Sequence, residues 1–113
     1  MNLGQMVLVA CALEVGGFSG ERAFKLKLAG GTDEYSGIAP LHYCRTDEKS
    51  ALPADQPPRG MSIPGFVEAF LVSNGGDQAT VELPDGEAVR VDRARVLIRQ
   101  DKVQEPAYVS IGS

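Results

Sequence analysis

The stretch ATVELPDGEAVRVDRARV, residues 79–96, decides how the rest of this chain is read. Ala79, Val81 and Leu83 alternate with Thr80 and Glu82. A period of two puts apolar side chains on one face of a strand and polar ones on the other. Val89 and Val91 repeat the alternation around Arg90 and Asp92, and Pro84-Asp85-Gly86 separates the two runs. Pro presets φ for the first corner of a turn, Asp bonds its own downstream backbone, and Gly tolerates positive φ. Such a loop predicts an antiparallel hairpin with a bulge at Gly86. Glu82 and Arg90 are expected to share the solvated face and to pair there, a contact worth at most about 1 kcal/mol. Val81, Leu83, Val89 and Val91 face a core.

Working outward, residues 66–72 read as a strand ended by Ser73-Asn74-Gly75-Gly76. Downstream, Asp92-Arg93-Ala94-Arg95 reads as a tight polar turn and Val96-Leu97-Ile98 as a last short strand. The order over residues 64–99 is strand, turn, strand, PDG turn, strand, tight turn, short strand. That order resembles the small SH3-like barrels, the Tudor and KOW groups among them. The resemblance is one of fold pattern. It implies a small barrel and assigns no binding residue to this chain.

Composition agrees with an all-β protein. The 13 Gly and 7 Pro in 113 residues suit a turn-rich chain, and the 43% of hydrophobic residues suffice for one core. Helical periodicity is scarce. The formal net charge of −4 disfavours nonspecific nucleic-acid binding, which needs a basic surface to displace counterions. Arg90, Arg93, Arg95, Arg99 and Lys102 cluster, with Asp85, Glu87, Asp92 and Asp101 interleaved. A mixed-sign solvated face is the main reading. A nucleic-acid-binding barrel using Arg90, Arg93 and Arg95 is the alternative. Two cysteines, Cys11 and Cys44, and a single histidine lack the spacing of a metal site. They read as reduced thiols of a cytoplasmic protein, with their pairing left open. No segment approaches the roughly 20 apolar residues of a membrane-spanning helix, so no membrane partner is expected.

Taken in order, residues 6–13 are apolar at every position, which predicts a strand buried on both faces. Gly16, Gly17 and Gly20 mark a turn without the signature of a phosphate loop. In residues 23–28, Phe24, Leu26 and Leu28 face inward, and Lys25 and Lys27 face outward, guarding an edge. Residues 34–39 form a third strand. The first third then echoes the last. Ala10, Leu13, Gly16 and Gly17 fall on Ala69, Val72, Gly75 and Gly76; Phe24-Lys25-Leu26 falls on Val81-Glu82-Leu83; Ile38 falls on Val91, and Leu41-His42-Tyr43 on Ala94-Arg95-Val96. One domain is expected, built from two similar three-stranded units, about residues 6–44 and 65–99, packed together. Residues 45–64 join them. They are rich in Pro and charge and read as a surface crossover or a binding loop. In the tail, residues 107–111 form an edge strand or pair with a neighbouring subunit.

Little chemistry is legible. His42 and Cys44, two residues apart, invite a nucleophile and its base, but no residue orients the base and no oxyanion hole is marked. No enzymatic activity, cofactor or metal is expected. Tyr35, Tyr43 and Phe70 are the aromatics free to line a groove, and Phe18, Phe24 and Phe66 read as core. Phe70 stands out because Ala69 and Leu71 take the opposite face, leaving a strand with two apolar faces. The expectation is a non-enzymatic protein-interaction module whose partner is itself, as a homo-oligomer, or another protein.

Overall fold

The computed structural model describes residues 4–17, 20–31, 33–46, 59–99 and 108–110. Among these residues nine antiparallel strands follow one another in chain order: β1 (Met6–Val15), β2 (Glu21–Lys27), β3 (Glu34–Pro40), β4 (Cys44–Arg45), β5 (Ile63–Gly75), β6 (Gln78–Glu82), β7 (Ala88–Asp92), β8 (Val96–Arg99) and β9 (Tyr108–Ser110). The helical content of these residues is two single 3-10 turns, Leu41–Tyr43 and Arg93–Arg95. None of it is long and apolar enough to cross a membrane. The protein is all-β. Its sheet runs β3-β2-β1-β5-β6-β7 and curls into a half-barrel, with β4, β8 and β9 attached off that path.

The two long apolar strands, β1 and β5, lie side by side at the centre, with Val7 opposite Ala69 and Val9 opposite Val67. Each has two partners on its other side. β1 holds β8 along residues 7–9 and β2 along residues 12–15. β5 holds β4 at residues 66 and 67 and β6 from residue 70 onward. The short strand that ends each half is therefore hydrogen-bonded to the first strand of the other half. The turns leading to these short strands carry matching backbone bonds. Leu41 N–H donates to the Gly20 carbonyl (2.8 Å), and Arg93 N–H donates to the Asp77 carbonyl (2.9 Å).

Alternation sets the faces. Val7, Val9, Leu13, Phe24, Val67 and Leu71 are fully buried on the inner face, joined there by Val81, Val91 and Val96. Burying each such side chain contributes roughly 1.5–3 kcal/mol. Lys25 and Lys27 face out; Lys25 is paired on both sides, with Ala12 and Ser36, and lies 3.5 Å from Glu14, whereas Lys27 is paired with β3 alone. The 84–86 loop forms the expected bulged turn. Gly86 sits at φ 93°, its N–H donates to Leu83 C=O, and Asp85 Oδ1 accepts from Glu87 N–H. The outer strands are tied together as well. Ala29 N–H donates to the Arg90 carbonyl (2.8 Å), and the Tyr35 hydroxyl donates to the Asp85 carboxylate.

Several local expectations need correction. β5 is 13 residues long, and Ser73, Asn74 and Gly75 belong to it, because pairing with β6 outweighs their turn propensity. The β5 register shifts between Leu71 and Ser73, a bulge at Val72. Phe24 faces Leu13 and Val81 faces Leu71, so Leu13 matches Leu71 and not Val72. Likewise Ala39 lies opposite Arg22 and Val91 opposite Ala79, so Ala39, which is buried, matches Val91, while Ile38 is exposed. The 3-10 turn Leu41–Tyr43 matches Arg93–Arg95, again one position from the expected alignment. Glu82 faces Ala88 and Arg90 faces Thr80, and no Glu82–Arg90 ion pair forms among the described residues. Phe66 sits opposite Ala10 on the outer face, half-buried, and is not core. Phe18, and residues 47–58 of the crossover, lie outside the described residues.

Candidate functional site

On the outer face of the sheet, three strands place one row of side chains. Phe70 on β5 points outward because its neighbours Ala69 and Leu71 are drawn into the core. Met6 on β1 lies directly opposite it, and Glu82 on β6 lies opposite it on the other side. Facing residues in such a ladder hold their Cβ atoms about 4.5–5.5 Å apart. Leu83 and Pro84 enter from the hairpin loop, and Tyr43 from the 3-10 turn after β3. Together these groups line a recess of about 150 Å³. Phe70 is 46% and Met6 40% exposed.

The wall of the recess is held by charge. Glu68, also lining it, accepts a 3.1 Å bond from Arg45 Nη2, and each side chain of this pair is 15% exposed. Arg45 Nη1 also donates to the carbonyls of His42 (2.6 Å) and Cys44 (3.0 Å). One guanidinium thus fixes the turn that carries Tyr43. His42 stacks on Tyr43 with ring centroids 4.3 Å apart. Among the described residues the Glu82 carboxylate has neither a hydrogen bond nor an ion pair.

The aromatics expected to form a groove do not all meet. Tyr43 and Phe70 share the recess. Tyr35 lies apart from them on β3, its ring 6.1 Å from Phe24 and its hydroxyl bonded to Asp85. That bond, then burial and the neighbouring carboxylates, pushes the Tyr35 hydroxyl up to about 12.

The arginines are scattered too. Arg90 lies in a shallow depression with Leu28 and Asp33, and Arg93 in another with Asp77 and Asp92. The Arg93 guanidinium is engaged with the Gly76 carbonyl. Arg95 lines a wider outer groove of about 580 Å³, with Lys25, Lys27, Glu34 and Phe66. Each of the three thus lines a different depression.

His42 and Cys44 do not form a working pair. His42 is exposed, whereas Cys44 is buried and its thiol lies 3.7 Å from the Pro40 carbonyl. Burial pushes Cys44 up to about 11; the nearby Arg22 and Arg45 oppose this without reversing it. Burial, with Cys44 close by, pushes Cys11 up to about 12. Both are free thiols. A thiol so far from ionisation is a poor nucleophile.

Met6, Glu68, Glu82, Leu83 and Pro84 line the recess without any sign of it in the sequence. Met6 was absorbed into a run expected to be buried throughout, and Glu82 into an expected hairpin ion pair. Leu83 reads as core and Pro84 as turn, and both are so, Leu83 being 3% exposed. The cross-strand register that joins them has no local signature. Comparison of the chain with protein-family models, with curated proteins and with solved structures found no match.

Proposed function

We propose that this protein is a non-enzymatic interaction module, a small barrel of the SH3-like kind, which grips one side chain of a partner polypeptide in the recess at Phe70. The observation that carries this reading is the recess itself. At about 150 Å³ it is below the 300–1,000 Å³ of small-molecule and cofactor sites. It suits a single protruding side chain, and its aromatic residues are the type enriched in protein interfaces. The order strand, strand, strand, 3-10 turn, short strand, present in both halves, supports the barrel kinship.

The edges of two strands expected to serve self-association are hydrogen-bonded within the chain. β1 is paired with β5 along one edge and with β8 and β2 along the other, and β9 pairs with β8. The Met6–Phe70 face remains open, to another protein or to a second copy. Scattering of Arg90, Arg93 and Arg95 gives the nucleic-acid alternative no comparable support.

The test is to pan a random peptide library against the wild type and Phe70→Ser, and to measure molar mass by light scattering at two concentrations. Enrichment of peptides, or a dimer, by the wild type alone supports the proposal. No enrichment together with a monomer at both concentrations overturns it.

A further inference from the structure

We propose that the side chain taken by the recess is a basic one, a lysine or arginine of the partner, with Glu82 as its counter-charge. This rests on the recess being a binding site, and it names what is bound. Two carboxylates line the recess, and they differ. Glu68 is neutralised by Arg45 at 3.1 Å, in a pair that is largely shielded from water. Glu82 is exposed and, among the described residues, its carboxylate forms no ion pair. The recess therefore presents one uncompensated negative charge, on a chain whose net charge is already −4.

That charge is well placed. Glu82 stands directly opposite Phe70, so a cation held over the Phe70 ring lies beside the carboxylate. An aromatic face attracts a cation through its quadrupole, and a carboxylate alongside adds direct Coulomb attraction. The remaining surface, from Met6 and Pro84 over the buried Leu83, is apolar. Lysine and arginine have the matching construction, an apolar stem with a charged head. An acidic group would meet Glu82 as a like charge. A purely apolar side chain would fill the recess but leave Glu82 with water alone.

The experiment uses the full chain and two capped pentapeptides, Ala-Leu-Lys-Leu-Ala and its norleucine counterpart at the central position. Binding is followed by amide shifts of Phe70, Glu82 and Leu83 in two-dimensional NMR titrations. The lysine peptide is expected to bind about tenfold more tightly than the norleucine peptide, and to weaken with salt. Glu82→Gln should remove about fivefold of that preference, and Phe70→Leu should weaken the lysine peptide more than the norleucine one. Equal binding of the two peptides at these residues would overturn the basic-residue assignment and leave the recess as an apolar binding site. Failure of both peptides to shift any recess residue would count against the assignment and the site together.

Discussion

Cys11 and Cys44 both face the inner side of the sheet, where burial holds their thiols neutral far above the ordinary 9.0. In the native protein at pH 8, both should react with a disulfide reagent at least about a hundredfold more slowly than free cysteine, and at the free rate in urea. The same shift fixes a pH dependence. The folded pKa values, about 11 and 12, exceed the unfolded value. The stability they contribute is complete below pH 9 and is lost as pH rises through 11 and 12. Urea midpoints should fall between pH 9 and 10.5, and fall less in Cys11→Ala/Cys44→Ala. A second residue-scale test concerns Gly65. A Cβ there would stand 2.5 Å from Leu13 Cδ1 and 2.7 Å from the Arg45 carbonyl oxygen. Gly65→Ala should lower stability by about 1–3 kcal/mol, read as a shifted midpoint at unchanged slope. Nothing in the Pro64-Gly65-Phe66 sequence announces that crowding. It arises from Leu13 and Arg45, which are remote in the chain.

At the scale of elements, the strands whose alternation is plain were readable from their residues. β2, β6 and β7 lie where Phe24-Lys25-Leu26 and the Val81 and Val91 runs place them. The bulged turn at Gly86 follows from local chemistry alone. Elements shaped by distant partners were not readable. β5 runs through Ser73-Asn74-Gly75 because β6 offers it hydrogen bonds, and the bulge at Val72 shifts its register on β6 by one residue. The link between β3 and the 84–86 loop joins Tyr35 to Asp85 across 50 positions. Because Tyr35 is on the partly exposed rim, Tyr35→Phe should cost only about 0.5–1.5 kcal/mol. Its clearer effect should be local: hydrogen exchange of β3 amides should rise while those of β1 and β5 stay unchanged. A uniform rise across the sheet would mean that this bond guards the whole fold and not one edge.

At the scale of the molecule, the recess is a product of assembly. Its members come from β1, β5, β6, the 84–86 loop and the turn at Tyr43, which is why single positions such as Phe70 were legible and the site was not. The halves also complete each other, since β4 lies on β5 and β8 on β1. Residues 1–58 and 59–113, expressed separately, should each be unfolded, as a few strands with no covered face have little independent stability. Co-expressed, they should copurify and regain the β-sheet circular dichroism of the intact chain. A stable, folded half on its own would contradict this view.

That reciprocity gives the chain a second way to satisfy the same hydrogen bonds. β4 needs a β5, and β8 needs a β1, but neither strand can tell whether its partner belongs to the same molecule. At high concentration during refolding, two chains can trade halves and close as a domain-swapped dimer whose interface is the core itself. Shortening the 47–58 connection should favour that dimer, because a tether too short to let the halves meet within one chain still lets them meet between two. Such a dimer would not dilute apart on the time scale of a sizing column. It would carry two copies of the Phe70 recess on one body, and so bind a repetitive partner with an avidity the single chain lacks.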